Sequence, residues 1–572
     1  MSLQPTTVAD RIAAYLAATG IERVFVYPGG TIAPLVNGFV RAGIAVEVFK
    51  HEQGAAYAAL AVARLSGKPQ VVMVTSGPGV TNALTPLADA FYDSTPLLLI
   101  TGQIGTGDLH SGRQVRQRGF QEVPVLDLVK PISKAAVCPA SAAAALTAVP
   151  ELLAVATSGR PGPVVLDFPM DIQRTACPED APMPTLPTTA PAAPAASAID
   201  AIARALAGAR RPVIMLGQGA LQAGHFASYR QLAERSDALV VSSLPGLGAF
   251  PGDDRRSLGY IGHTGHAAAN RAVHTADLLL VLGARLDVRQ TGTVTNSFVP
   301  SGQVAWVNSD PDELAYPRVA VQWALNADAG LSSDALLAAL PARTTAVDHD
   351  WQAARQSERQ SGEEDELAPD TAHLGPREVL RALAERMAGG HGTVSTGVGS
   401  HQQWAARHLC YAPDGWRFLT SAGHGAMGYD LPTAIGAAIA CPDQTSLCVV
   451  GDGSLLMNIQ ELASLAERQL PVKILLLNNR RLGIVSQFQR ITWGTDPSSG
   501  HFPSPDFVAI ARGFGIAAER LEQRDEIGPA LDAFWAASGP TLLEVRIDHD
   551  ADVVPMLLGG QTMDQMWQGH GK

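Results

Sequence analysis

Cysteine is scarce in this chain: five in 572 residues, at positions 138, 177, 410, 441 and 448. They are odd in number and share no CxxC spacing, which argues against a disulfide framework and against a thiolate metal site. Long apolar runs are missing as well. No stretch reaches the roughly 18 residues that a membrane span needs, so no membrane partner is expected. There is no run of Lys or Arg, and 42 basic residues face 54 acidic ones. That balance argues against a nucleic-acid partner. The N-terminal segment lacks the basic-then-apolar order of a secretory signal. Instead, Val8, Ile12, Tyr15 and Leu16 fall on one helical face, with Asp10 and Arg11 off it. Reduced thiols and no signal make a cytoplasmic protein the expectation. Charged residues are only 17% of the chain, too few for extended disorder, and the 46% hydrophobic content supports large cores.

What is present is an alternation. Short apolar runs at 71–74, 96–100 and 164–168 read as buried strands, with helical patterns at 53–65 and 80–92 between them. That is the pattern of a parallel α/β sheet. Residues 175–198 are rich in Pro, Ala and Thr, and residues 341–375 are polar and charged, so both read as linkers, the second with some helix. No fixed-period repeat occurs. The expected architecture is three Rossmann-like parallel-sheet α/β domains, at about 1–175, 198–340 and 372–547, with a tail over 548–572.

The sharpest local signal lies in the third segment. Cys448-Val449-Val450 reads as a strand and Gly451-Asp452-Gly453-Ser454 follows at its carboxyl end. A helix is expected over about 458–468, then a second strand over 472–477 ending in Asn478-Asn479. Asp452 and Asn479 therefore sit at two carboxyl ends of one sheet, where open α/β sheets bind ligands. Mg²⁺ takes near-octahedral oxygen donors shared between protein and phosphates. Asp452 offers a carboxylate, Asn479 an amide oxygen, and the backbone carbonyl of Arg481 a third donor. Gly451 and Gly453 let a diphosphate approach the backbone, and the following helix start favours the anion. GDG alone is also an ordinary strand-to-helix turn. The Asn pair 479 − 452 = 27 residues later is what favours the metal.

GDG followed at that distance by NN resembles the motif of thiamine-diphosphate (ThDP) enzymes. In that family a glutamate hydrogen-bonds the aminopyrimidine ring of ThDP and so assists proton loss from the thiazolium C2. Lys50-His51-Glu52-Gln53-Gly54-Ala55-Ala56 resembles the segment that supplies it, and Glu52 inherits the role. The family builds this site between subunits, which implies a homodimer or homotetramer. Thr75-Ser76-Gly77-Pro78-Gly79-Val80-Thr81-Asn82 resembles the loop facing the cofactor, and Thr75, Gly77 and Asn82 inherit contacts with it.

The likeness is most detailed to acetolactate (acetohydroxyacid) synthases. Tyr27-Pro28-Gly29-Gly30 and the run from Asp93 to Gln103 are similar to that family's motifs, which assigns Pro28 and Gly29 to the cofactor. Phe120-Gln121-Glu122 and Lys130-Pro131-Ile132-Ser133-Lys134 follow in order and imply active-site roles for Gln121 and Lys134. Gly397-Val398-Gly399-Ser400-His401-Gln402 resembles the diphosphate-holding segment. Gly425-Ala426-Met427-Gly428 resembles the segment whose methionine supports the bent cofactor. The middle domain is where this family holds FAD. There, Gly217, Gly262, His263, Gly283, Arg285 and Asp310 lie in matching motifs, and Arg289 matches the arginine that binds the acceptor's carboxylate.

Five positions depart from the family. Val288 replaces a second aspartate, Asn308-Ser309 replace acidic residues, His424 replaces a leucine, and Phe488 replaces a tryptophan that packs against the acceptor. The implied activity is decarboxylation of a 2-oxo acid such as pyruvate and ligation of the two-carbon unit to a carbonyl acceptor. Two related outcomes stay open: transfer to a ketone or keto-sugar, and hydrolysis of a cyclic diketone. The implied cofactors are ThDP, Mg²⁺ and FAD.

Overall fold

The structure, a computed structural model, describes residues 6–109, 114–185, 190–361 and 373–569. Its frame is three six-stranded sheets in which every paired strand is parallel. The first sheet contains β1 (Arg23–Val26), β2 (Ala45–Val48), β3 (Gln70–Val74), β4 (Leu97–Gln103), β5 (Ala135–Val137) and β6 (Pro163–Pro169). The second contains β7 (Pro212–Leu216), β8 (Leu239–Ser242), β9 (Ser257–Tyr260), β10 (Leu278–Leu282), β11 (Gln303–Asn308) and β12 (Trp323–Asn326). The third contains β13 (Gly392–Thr396), β14 (Trp416–Thr420), β15 (Thr445–Gly451), β16 (Val472–Asn478), β17 (Ala517–Leu521) and β18 (Thr541–Arg546).

The central strands are buried nearly end to end because helices cover both faces. In β16, every residue from Val472 to Asn478 is buried. That is the behaviour of a parallel strand sealed on both sides.

Strand order shows where ligands would go. The first sheet runs β2-β1-β3-β4-β6-β5 and the third β14-β13-β15-β16-β18-β17, the same order in two copies. Each has its switch point between its first and third strands, that is, between β1 and β3 and between β13 and β15. The second sheet runs β12-β11-β10-β7-β8-β9, the dinucleotide-binding order with its switch point between β7 and β10. The carboxyl ends at these switch points carry Tyr27 to Gly29 and Thr75 to Gly77, then Gly217 and Gly283, then Gly397 and Gly451-Asp452.

The outer sheets meet through the helices Glu52–Ser66 and Asp430–Ala440. The first carries six alanines between positions 55 and 63 and is almost wholly buried there. Gly436 sits so close that an added Cβ would lie 2.2 Å from the Ala58 carbonyl. Small side chains let the two helix backbones approach.

Two sequence expectations need refinement. The helix expected over 458–468 is two helices, Asp452–Met457 and Glu461–Arg468, so the first begins on the Asp of GDG itself. The N-terminal helix is Val8–Ala18, with Thr7 and Asp10 forming a capping box at its start. Val8, Ile12 and Leu16 are buried on its inner face.

Residues 548–569 fold back over the molecule. Leu557 exchanges hydrogen bonds with His263, and Asp550 and Asp552 hold Arg481. Among the described residues no helix is long and apolar enough to cross a membrane.

Candidate active site

One half of the site forms at the end of β15. The turn after Val450 delivers Gly451 and Asp452 to the mouth of a cradle of about 420 Å³, and Asn479 and Arg481, just past β16, line it too. Asp452 is buried. Its Oδ1 accepts from Gly453 N–H at 3.0 Å, while its Oδ2 has no hydrogen-bond partner. Burial pushes its carboxyl up to about 6. A buried carboxylate oxygen left unpaired is costly unless a cation meets it. The hydroxyl of Ser400 and the indole N–H of Trp404 line the same cradle and are likewise unpartnered. Gly453 cannot be larger: an added Cβ would lie 2.5 Å from Leu482. Met427 lines the cradle with its methyl 3.5 Å from that same position. The Arg481 guanidinium is already bound by Asp550 and Asp552, at 3.2 and 2.7 Å, so it brings no free charge. Among the described residues there is no cluster of three His, Cys, Asp or Glu. The donor set is therefore one carboxylate, an amide and backbone, which suits an oxygen-loving cation shared with phosphates.

The cradle's shape depends on a residue that the sequence reading passed over. Asp430, buried at the start of its helix, accepts from the backbone N–H of Gly397, from His401 Nε2 at 2.9 Å and from the Ser454 hydroxyl. Ser454 in turn accepts from Gly428 N–H at 2.9 Å. The only sequence signal for Asp430 is an acidic residue at a helix start, which is too common to single out.

The other half forms at the end of the first sheet. Glu52 opens its helix, is buried, and accepts from Asn82 Nδ2 at 3.0 Å on Oε2. Thr75 at the end of β3 touches Thr31 at 2.9 Å, and Gly29 packs so tightly on Thr75 that a Cβ would overlap it. Gly77 has φ +64° and a Cβ there would meet Gln121, whose Oε1 accepts from Ser76 at 3.5 Å. This surface is open: Tyr27, Pro28, Asn82 and Phe120 are exposed. None of its residues lines the cradle.

A larger cleft of about 1320 Å³ runs from the middle sheet toward the cradle, and Val398, Gly399 and Ile484 line both. His263, Gly283, Arg285, Arg289, Gln402 and Gly425 line this cleft. Arg285 pairs with Asp287 at 2.7 Å, whereas Arg289 makes no ion pair among the described residues. Gln402 is held by Thr420 at 2.6 Å and by the Ser421 carbonyl. The loop from Ser421 into Gly425 is fixed by Asp93, which accepts from Ala422 and Gly423 N–H at 2.9 and 2.7 Å and pairs with Arg64.

Several expected site residues lie elsewhere. Gly217 and Gly283 are glycine because their turns touch: a Cβ on Gly217 would lie 2.2 Å from the Gly283 carbonyl. Gly262 packs equally closely on the Arg289 carbonyl. Neither Gly217 nor Gly262 lines the cleft, and Asp310 is taken up by Arg160 at 3.0 Å. Lys134 does not reach either cavity; its ammonium caps the end of the helix Ala142–Thr157 through the carbonyls of Val155 and Ser158, at 2.6 and 2.5 Å. Phe488 is 54% exposed and stacks edge-on with Trp493. His424 is exposed and stacked on Tyr92, with ring centroids 5.8 Å apart.

The geometry agrees with the chain's relatives. Residues 6–129 match the N-terminal TPP binding domain of thiamine pyrophosphate enzymes, 199–337 the central domain, and 397–545 the C-terminal TPP binding domain. The chain is 38% identical to probable acetolactate synthase 2, chloroplastic, of Oryza sativa subsp. japonica, across 99% of this chain and 86% of that one. It is 37% identical to the acetolactate synthase isozyme 2 large subunit of Escherichia coli (strain K12), across 96% of this chain and 97% of that one. The chain belongs to the acetolactate synthase family of thiamine-pyrophosphate enzymes. The two carboxyl-end half-sites of this family member are the ends of its two like-ordered sheets, and the larger cleft lies at the switch point of the middle sheet.

Proposed function

We propose that the chain decarboxylates pyruvate and joins the remaining two-carbon unit to a second carbonyl compound, as an acetolactate synthase does. The observation that carries this is the unpaired, buried Asp452 Oδ2 in a cradle walled by Asn479, together with a separate sheet end that presents the buried Glu52. Asp452, Asn479 and the Arg481 carbonyl would hold Mg²⁺. Gly397, Ser400, His401, Gly451, Gly453 and Ser454 would receive the diphosphate, with Met427 against the ring system. Bound there, ThDP supplies a nucleophilic thiazolium carbon. Glu52 Oε1, which makes no hydrogen bond among the described residues, would hold and move the proton of the aminopyrimidine ring. Gln121, with Thr75, Gly77 and Asn82, would shape the wall behind it.

The cleft would hold FAD through Gly283, Arg285, His263 and Gly219, all of which line it. Arg289, exposed and unpaired, would clamp the acceptor's carboxylate in the bidentate manner of a guanidinium. Glu52 and the cradle are complete only together, and the surface carrying Glu52's neighbours exposes Tyr27 and Phe120, so the working unit is at least a homodimer. Five free cysteines support the reading of a reducing, cytoplasmic setting. Chelation and dialysis should abolish pyruvate consumption, and ThDP with Mg²⁺ together should restore it. Full activity in rigorously ThDP-free protein contradicts the proposal. The purified protein should also be yellow and release FAD on denaturation.

A further inference from the structure

We propose that Asp430 is the positioning residue of the diphosphate cradle, a single carboxylate that holds three separate loops in register. The proposal rests on the assignment of the cradle to the cofactor's diphosphate. Its three donors come from three elements: Gly397 from the turn after β13, His401 from the helix Ser400–His408, and Ser454 from the helix Asp452–Met457. Those elements carry the backbone N–H groups and the metal carboxylate of the cradle. The Ser395 hydroxyl adds a fourth tie, donating to the Asp430 carbonyl at 2.9 Å.

His401 transmits this order. With Nε2 tied to Asp430, its ring lies between the two glycine turns at the sheet ends. A Cβ on Gly399 would lie 2.7 Å from the ring's Cε1, and one on Gly451 would lie 2.9 Å from its Nδ1. The ring therefore sets the spacing of the turns that face the ligand, and Asp430 sets the ring. Gly397 leaves no slack, since its Cβ would fall 2.5 Å from Asp430 Oδ2.

An amide reproduces this carboxylate only in part. Asparagine presents one acceptor oxygen, which can serve Gly397 and His401 as Oδ1 does, but its uncharged NH₂ would donate to the Ser454 hydroxyl and so reverse that bond. The bonds weakened or reversed are to an ionised acceptor, the stronger kind. The carboxylate also sits at a helix N-terminus, which favours its charge. It touches no reacting atom, so its effect should appear in cofactor affinity before turnover.

The test titrates metal-free apo-protein with ThDP at fixed Mg²⁺ by calorimetry, alongside apo-protein melting and turnover at saturating ThDP. Asp430→Asn should weaken ThDP binding by about 10–100-fold, the range for residues that orient ligand-holding groups. Turnover at saturation should fall far less, and the apo melting temperature should stay near that of the wild type. Ser454→Ala removes one donor and should weaken binding by roughly fivefold; it decides the matter if Asp430→Asn does not fold. Native affinity in Ser454→Ala together with native affinity or misfolding in Asp430→Asn overturns the proposal. So does a loss of turnover at saturation as large as the loss of affinity. Wild-type protein that takes up no ThDP overturns the cradle assignment, and this proposal with it.

Discussion

Asn82 reaches Glu52 with one hydrogen bond, 3.0 Å from its amide nitrogen to Oε2, and so orients a buried carboxyl at the edge of an otherwise open surface. Oε1 makes no hydrogen bond among the described residues and, under the proposed function, serves the cofactor ring. Glu52→Gln keeps the shape and removes the proton acceptor. Hydrogen–deuterium exchange at the thiazolium C2 should slow by roughly 10²–10⁴-fold, the usual worth of a positioned acid–base group. An unchanged exchange rate would remove Glu52 from its role.

The two half-sites suggest a complementation experiment. Glu52→Gln and Asp452→Asn chains should each be inactive alone. Mixed after dissociation, they should form hybrid dimers in which one site carries both changes and the other carries neither. Activity should recover to about one quarter of the wild-type value, as random pairing of a symmetric dimer requires. No recovery, with hybrids demonstrated by mass, would mean that each site is built within one chain.

His263 gives a pH-dependence whose sign is fixed. Burial, then the Arg289 and Arg407 charges, push its imidazole down to about 4, against a smaller upward pull from the Leu557 carbonyl. The folded protein thus keeps His263 neutral while the unfolded chain protonates it below about 6.5. Stability is unaffected above that pH and is lost progressively as pH falls from 6.5 toward 4. The full loss is roughly 3 kcal/mol, from (6.5 − 4) × 1.36. Denaturant unfolding at pH 7.5 and pH 4.5 should show this drop in the wild type and a clearly smaller one in His263→Gln. Equal drops in both proteins would remove His263 from the account.

Phe488 is proposed to bear on the acceptor. It lies on the helix Gly483–Trp493, one turn beyond Ile484, which lines both cavities. Phe488→Trp adds apolar surface and an indole N–H. Competition between pyruvate and 2-ketobutyrate should shift toward 2-ketobutyrate by about tenfold, within the roughly 1–3 kcal/mol that such contacts supply. An unchanged product ratio would show that Phe488 does not meet the acceptor.

The sheets were legible because buried parallel strands are written as unbroken apolar runs, as in Ile474 to Leu477. Asp452 and Asn479 were legible because two strand ends fix them locally. Asp430 was not, since its partners lie 33, 29 and 24 residues away on other loops and no local pattern records that. Gly217 is glycine because its turn touches that of Gly283, which lines the cleft, a contact that only the crossing of two turns reveals. Lys134 keeps its place in the motif, yet helix-end carbonyls bind its ammonium.

The most direct test of the central claim is to give the reconstituted enzyme ¹³C-labelled pyruvate alone and follow the products by NMR. The account predicts one CO₂ for every two pyruvates consumed and a five-carbon acetohydroxy acid as the main product. Pyruvate left untouched, or converted only to acetaldehyde or acetate with no new carbon–carbon bond, would contradict it.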